Sequence, residues 1–141
     1  MKPRIVITQD DDVRLRRMLE VHRGARDAAL VDQLELELAD AEVVGARTIA
    51  PDVVTMNSTV TYEDAENGRR AQIKLVYPPD ARLGERRVSV LAPIGAALLG
   101  LSVGQSIEWP LPGGRRTRIR VVAVSDQPEA AGEQLEAGGD V

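Results

Sequence analysis

Residues 89–100 read Ser-Val-Leu-Ala-Pro-Ile-Gly-Ala-Ala-Leu-Leu-Gly, and this apolar stretch decides the fold of the chain. This stretch predicts a short helix that starts directly from a strand. The signals are Pro93 at an early helical position, the alanines that follow it, and Gly100 as a stop. The two leucines before Gly100 are expected to pack in the core. The strand-to-helix corner, residues 91–94, is expected to be more exposed and to offer an apolar contact site.

Runs with the pattern of β-strands, punctuated by Pro and Gly, flank this stretch on both sides. Three of them, residues 59–62, 87–91 and 116–124, alternate apolar and polar residues, as half-buried strands do. The runs cover residues 53–56, 59–62, 70–77, 87–91, 107–111 and 116–124. Asn67-Gly68 predicts a hairpin turn because both residues tolerate positive φ, and Pro112-Gly113-Gly114 predicts a second turn.

The N-terminal part of the chain predicts two helices. Thr8 followed three residues later by Asp11 indicates a helix N-cap close to a capping box. Apolar residues at helical spacing define one face of each helix, and they are Leu15, Met18 and Leu19, then Leu30, Leu34 and Leu38. Gly24 ends the first helix and Asp27 can cap the second, which predicts an antiparallel helical hairpin.

The predicted fold class is therefore α+β. A short helical hairpin occupies residues 1–46, a sheet domain with one short helix occupies 47–126, and a Gly-, Glu- and Ala-rich tail over 127–141 is expected to be flexible. Val, Leu and Ile make up 38 of 141 residues, above the roughly 20% that is typical of disorder. The core must be aliphatic, since the chain has no Phe, two Tyr and one Trp.

Composition excludes several classes of function. The net charge of −4 argues against a general nucleic-acid binder. The absence of cysteine excludes disulfides and thiolate metal sites, and a single histidine excludes a multi-histidine metal site. No apolar run approaches the ~20 residues of a membrane span, and the N-terminus is too short for a signal peptide, so a cytoplasmic protein is expected.

Two short features invite a chemical interpretation and have a simpler alternative. His22 could act as a general base, but no nucleophile accompanies it, and a cation at a helix end is favoured by the dipole. The acidic residues 10–12 could bind a cation, but negative charge at a helix N-terminus explains all three. The simpler alternative is favoured in both cases.

A basic row is the densest charge cluster of the chain, formed by Arg115, Arg116, Arg118 and Arg120. Three interpretations stay open: a solvated sheet face, a docking surface for an acidic protein, and an RNA-binding strip. The last is the weakest, since no aromatic residue is interleaved for base stacking.

The chain resembles the bacterial Gre transcription factors (the GreA/GreB family), and within that family the short Rnk-like group. The residues that carry the resemblance run in order along nearly the whole sequence. They are 52–58 (Asp-Val-Val-Thr-Met-Asn-Ser), 75–78 (Leu-Val-Tyr-Pro), 89–100, Gly104, 112–114 and 127–132 (Gln-Pro-Glu-Ala-Ala-Gly).

The resemblance implies an FKBP-like C-terminal domain, a twisted antiparallel sheet holding one short helix, preceded by an antiparallel coiled coil. In Gre factors the C-terminal domain docks on RNA polymerase beside the secondary channel. The coiled coil enters that channel, where acidic residues at its tip help to hold a catalytic Mg²⁺ for transcript cleavage. For this chain the resemblance implies docking through Leu91, Ala92, Pro93, Ile94 and Gly95, with Ala92 where Gre factors often have Ser.

The N-terminal arm departs from the Gre pattern. Each helix has only about 12–17 residues, or about 20–25 Å. The tip carries His22, Arg23 and Arg26 in place of a close acidic pair. We therefore expect a monomeric regulator that binds RNA polymerase without stimulating transcript cleavage. We expect no catalytic residue, cofactor or metal, no membrane association and no direct sequence-specific binding of nucleic acid.

Two alternatives remain at this stage. The chain could be an interaction module for another protein partner. It could also be a prolyl isomerase, because the implied fold is FKBP-like, although that activity needs an aromatic-lined pocket that a chain with three aromatic residues is poorly equipped to build.

Overall fold

The computed structural model describes residues 2–24, 28–110, 112–114 and 116–131. Its helices and strands confirm the α+β class. In chain order they are β1 (Val6–Thr8), α1 (Gln9–Val21), α2 (Ala28–Asp40), β2 (Glu42–Val44), β3 (Thr59–Asp64), β4 (Arg70–Val76), β5 (Arg87–Ser89), α3 (Pro93–Leu98), β6 (Ser106–Pro110), β7 (Arg116–Asp126) and α4 (Pro128–Ala131). Short 3₁₀ turns lie at Pro78–Asp80, Leu83–Glu85 and Pro112–Gly114.

Five of the strands form one sheet in the order β5-β4-β3-β7-β6. The prediction of an antiparallel sheet is wrong at one edge, because β5 runs parallel to β4, with Lys74 opposite Arg87. The segment 77–86, with its two 3₁₀ turns, carries the chain back along β4, so β5 enters in the same direction as its neighbour. The other pairs, β3–β4, β3–β7 and β6–β7, are antiparallel.

The local sequence signals that set the ends of these elements are confirmed. The Thr8 hydroxyl accepts a hydrogen bond from the Asp11 backbone N–H at 3.1 Å and so caps α1. Between β3 and β4, Gly68 has φ +72° and the Asn67 side chain accepts a hydrogen bond from the Arg69 N–H at 2.8 Å. The Asn-Gly turn therefore fixes the register of the central hairpin.

Helices α1 and α2 run in opposite directions. Near their base Arg16 donates to the Leu38 carbonyl at 3.2 Å, and near the tip Arg23 pairs with Glu35 at 3.0 Å. The predicted cap of the second helix, Asp27, lies outside the described residues.

A small two-stranded sheet ties the base of the hairpin together, and the sequence did not indicate it. β1 and β2 pair in parallel, with Val6 opposite Glu42. The Val6 N–H also donates to the Gly100 carbonyl at 3.1 Å. Gly100 has φ +79°, and a Cβ there would collide with Ile5, so only glycine allows this close approach between the N-terminal strand and the end of α3.

Most of the buried apolar residues form one contiguous cluster that the hairpin and the sheet share. Leu15 of α1 and Leu34 of α2 are at most 2% exposed, as are Leu75 of β4 and Leu98 of α3. The hairpin is therefore packed into the same core as the sheet along its inner face, and the apolar stripes identified in the sequence do face that core.

The predicted strand at 53–56 is wrong. The segment is a buried loop that makes a single bridge, Val53 to Ser102. The Val54 N–H donates to the Leu101 carbonyl at 2.8 Å, and Asn57 with φ +67° turns the chain into β3. The segment resembled a strand because it is rich in apolar residues. A buried loop shares this composition with a buried strand.

The start of the predicted flexible tail, 127–141, is packed against the protein. Gln127 is 4% exposed, and its amide nitrogen donates to the carbonyls of Ala50 and Val53 at 2.8 and 2.9 Å. The short helix α4 follows, with Glu129 buried. Residues 132–141 lie outside the described residues.

Candidate functional site

The strand-to-helix corner is formed by the end of β5 and the start of α3. The Ser89 carbonyl accepts from the Ala92 N–H at 2.9 Å, and Pro93 is the first helical residue. Pro93 is exposed, whereas Leu91, Ala92 and Ile94 are half-buried. The exposed apolar surface at the corner is therefore smaller than the sequence suggested, and it centres on Pro93.

Gly95 has a structural role at this corner. A Cβ at this position would collide with the Ser89 carbonyl oxygen and would lie 3.1 Å from the Leu75 side chain. The glycine allows the first turn of α3 to sit directly on the end of β5. Gly95 therefore shapes the corner from within, and it is buried.

Helix α2 lies next to the corner, so the hairpin contributes to the same surface. A groove separates α2 from α3 and β6, and it is lined by Lys2, Leu30, Gln33, Glu37, Pro93, Ala96, Ala97, Ile107, Glu108 and Arg116. Pro93 thus faces a shallow groove whose other wall is the hairpin.

Lys2 holds this arrangement together, and no sequence pattern indicated this role. Its ammonium donates to Glu37 of α2 at 2.6 Å and to the Ala96 carbonyl of α3 at 2.8 Å. Burial lowers the pKa of Lys2, while the Glu37 carboxylate opposes that shift. One side chain from the N-terminal segment therefore links the hairpin to the corner helix.

The tip of the hairpin carries two of its three predicted basic residues within the described part of the chain. His22 Nδ1 lies 2.9 Å from the Met18 carbonyl, to which it donates, and so caps the last turn of α1. Arg23 is exposed and pairs with Glu35. Arg26 lies outside the described residues. The structure therefore gives His22 a capping role.

A pocket of buried polar groups lies where α1, the 53–58 loop and α4 meet. Asp11 is 2% exposed, and its carboxylate accepts a hydrogen bond from the Met56 N–H at 3.1 Å. The Tyr77 hydroxyl is 3.5 Å from the same carboxylate. From the other side Glu129, 6% exposed, accepts from the Thr55 hydroxyl at 2.7 Å.

Burial raises the pKa of Asp11 to about 7, opposed by the Met56 N–H and reinforced by the nearby Glu129 carboxylate. Burial also raises the pKa of Tyr77, with the Asp11 charge as the next cause. The sequence analysis placed Asp11 among ordinary charges at a helix N-terminus. Its position three residues after the Thr8 cap was the only sequence signal that this side chain differs from its neighbours.

The basic row on β7 is exposed and largely ion-paired. Arg116 pairs with Glu108 at 2.9 Å, and Arg120 lies 3.6 Å from Glu63. Arg118 donates to the Ser106 hydroxyl at 3.1 Å. These contacts favour the interpretation as a solvated sheet face. Arg115, the fourth member, lies outside the described residues.

Across the described ranges, no three His, Cys, Asp or Glu residues come together as metal ligands. Among the helices of those ranges, none has the length and apolar character needed to cross a bilayer.

Comparison with known proteins identifies two family models along the chain. Residues 49–126 match the model "Transcription elongation factor, GreA/GreB, C-term", and residues 3–44 match the "Rnk N-terminus" model. The corner and the sheet lie in the first match, and the helical hairpin lies in the second.

Individual relatives agree with these models. The chain is 41% identical over 134 residues to the "Regulator of nucleoside diphosphate kinase" of Escherichia coli K12, covering 95% of this chain and 98% of that protein. It is 34% identical over 86 residues to a transcription elongation factor GreA of Syntrophus aciditrophicus, covering 61% of this chain but only 53% of the relative.

A solved structure extends the likeness to three dimensions. The "prokaryotic transcription elongation factor GreA/GreB" of Nitrosomonas europaea superposes with a TM-score of 0.71 at 46% identity, covering 87% of this chain and 98% of that one. The names of these relatives are those of regulators and elongation factors. The chain belongs to the GreA/GreB family of transcription elongation factors, in the group that carries the Rnk N-terminus.

Proposed function

We propose that this chain is a non-enzymatic regulator that binds RNA polymerase near its secondary channel without stimulating transcript cleavage. Binding uses the corner formed by Leu91, Ala92, Pro93, Ile94 and Gly95. The observation that carries the proposal is the exposed Pro93 at the start of α3, in the part of the chain that matches the GreA/GreB C-terminal model. In this proposal residues 47–126 form an FKBP-like docking domain.

The hairpin, residues 1–46, acts in this proposal as a short coiled-coil arm that occupies space at the channel. Helices α1 and α2 each have 13 residues, which is about 20 Å. The basic residues of the tip, His22, Arg23 and Arg26, repel a divalent cation instead of ligating it. The arm therefore blocks access and does not complete a metal site.

The proposal also assigns partners. The chain acts as a monomer on RNA polymerase, with no cofactor, no membrane contact and no direct sequence-specific contact to nucleic acid. The name of the Escherichia coli relative links that protein to nucleoside diphosphate kinase. For this chain we propose that any effect on such a kinase runs through transcription.

Replacing Pro93 with Asp tests the docking surface. The substitution places a charge at the centre of the exposed apolar patch, and disrupting an interface anchor typically lowers affinity by about tenfold or more. We expect Pro93→Asp to weaken binding to purified RNA polymerase by that factor, measured by biolayer interferometry, with an unchanged circular dichroism spectrum.

Pro51→Asp is the matched control, because Pro51 is also exposed but lies in the turn before the 53–56 loop. It should bind like the wild type. Equal binding by Pro93→Asp and Pro51→Asp would assign the docking surface to another part of the molecule.

A further inference from the structure

An open groove runs along the outer side of α1, where that helix faces the segment after β4. The groove has a volume of about 370 Å³, and it is lined by Arg14, Arg17, Met18, Val21, His22, Tyr77, Pro78 and Pro79. We call it the α1 groove. Its apolar floor includes Val21, which is 77% exposed and thus the most exposed large apolar side chain in the described part of the chain. An exposed apolar groove of this kind marks a contact site.

The charged residues that line the α1 groove are both arginines, Arg14 and Arg17. Arg14 and Arg17 form its rim and are exposed, and His22 closes the far end. None of the described residues that line it is acidic. An occupant that complements it must therefore carry acidic groups beside an apolar side chain.

Residues 132–141, Gly-Glu-Gln-Leu-Glu-Ala-Gly-Gly-Asp-Val, have that chemistry. Glu133, Glu136 and Asp140 supply three acidic groups, the segment has no Lys or Arg, and Leu135 provides one large apolar side chain between the first two acids. We propose that this segment of the same chain binds the α1 groove, with Leu135 on the apolar floor and the carboxylates at the arginine rim.

The place from which the segment starts supports this assignment. It follows α4, whose Glu129 carboxylate accepts from the Thr55 hydroxyl at 2.7 Å. The adjacent Met56 N–H donates to the Asp11 carboxylate at 3.1 Å, and the Tyr77 hydroxyl lies 3.5 Å from that same Asp11 carboxylate. Tyr77 lines the α1 groove, and Asp11 lies one helical turn before Arg14. The described chain therefore ends beside the near end of the groove.

The segment after Ala131 is also long enough to reach the α1 groove. From Arg14 to Val21 the groove follows α1 for about 10 Å. Leu135 is the fourth residue beyond Ala131. Four residues span up to about 14 Å when extended, so Leu135 can reach the middle of the groove. A tethered ligand has an effective concentration near the millimolar range, so weak apolar and ionic contacts are enough to fill the site.

Cysteine pairs test the proposal cleanly, because the chain has no native cysteine. Val21→Cys combined with Ala137→Cys places one thiol at the groove and one in the segment, and it leaves Leu135 and the acids intact. The control pair is Leu36→Cys with Ala137→Cys, since Leu36 is 68% exposed on the neighbouring helix and lies outside the groove. The effective concentration of each thiol pair is measured by disulfide formation in glutathione buffer.

We expect the effective concentration to be at least tenfold higher for the Val21 pair than for the Leu36 pair. Adding Arg14→Glu and Arg17→Glu to the Val21 pair should remove the difference, whereas Arg14→Lys and Arg17→Lys should keep it. Raising NaCl from 0.1 to 1 M shortens the screening length from about 10 to about 3 Å and should reduce the difference as well. Circular dichroism verifies that each variant is folded.

Equal effective concentrations in the two cysteine pairs would overturn the proposal. A higher value for the Val21 pair that survives the charge reversal would overturn it too, because that excess would reflect proximity along the chain and not recognition by the groove.

Discussion

Asp11→Asn should make the protein more stable at pH 8 and should remove most of the pH dependence of its stability between pH 4 and 7. In the wild type the pKa of Asp11 rises from 3.8 to about 7 on folding because the carboxyl is buried. Between these two values the folded chain holds a proton that the unfolded chain has lost. Stability therefore falls as the pH rises through this window and levels off above pH 7.

The size of the effect follows from the shift. Each pKa unit corresponds to about 1.4 kcal/mol, so the free energy of unfolding should fall by up to about 4 kcal/mol across this pH window. Asn resembles the protonated acid: it can still accept from the Met56 N–H and has no charge to bury beside Glu129. Below about pH 4 the variant and the wild type should therefore differ little, and at pH 8 the variant should be more stable.

Urea unfolding at several pH values measures this. Asp12→Asn is the control, because Asp12 lies in the same helical turn but pairs with Arg16 at the surface of α1. That variant should keep the wild-type slope of stability against pH. If Asp11→Asn also kept that slope, Asp11 would not be the group that titrates in this window.

Leu34→Ala should lower the free energy of unfolding by about 2–5 kcal/mol, because it removes a fully packed side chain and leaves a cavity. Leu34 is 2% exposed and belongs to the cluster that also contains Leu75 and Leu98. Since the hairpin and the sheet share this cluster, the loss should appear as one cooperative transition at lower urea concentration.

Leu36→Ala is the matched control on the same helix, because Leu36 is 68% exposed. It should change stability by less than about 0.5 kcal/mol. A Leu34→Ala variant with two separate transitions, the hairpin unfolding first, would show that the two parts have independent cores.

Those parts of the fold that depend on local patterns were predictable from the sequence. The Thr8 cap, the helical stripes through Leu15 and Leu34, and the Asn67-Gly68 turn all act within a few residues. The corner helix was predictable for the same reason, since Pro93 and Gly100 are signals at its two ends.

What the sequence could not indicate depends on contacts between distant segments. The parallel pairing of β1 with β2 joins residues 36 positions apart, as Val6 and Glu42 show. The buried carboxyl pocket joins Asp11 to Glu129 through a loop that resembled a strand. The hydrogen bond from Lys2 to the Ala96 carbonyl of α3 joins residues that are 94 positions apart in the sequence. No periodicity encodes such pairs, because each arises only when the core closes.

The same distinction applies to the candidate site. The residues at the corner were identifiable, but their exposure was not, because Leu91 and Ile94 pack against the core beneath them. Only Pro93 of the apolar residues 91–94 is left exposed.

The length of the RNA in backtracked elongation complexes is the decisive readout for the proposed function. We predict that this protein alone causes no shortening of the transcript, because in the proposed function the basic tip of its short arm does not complete a Mg²⁺ site. We also predict that an excess of the protein reduces the shortening caused by a full-length GreA, since the proposal gives both proteins one docking site on RNA polymerase. Robust shortening by this protein alone, or undiminished GreA activity at saturating concentrations of it, would contradict the proposed function.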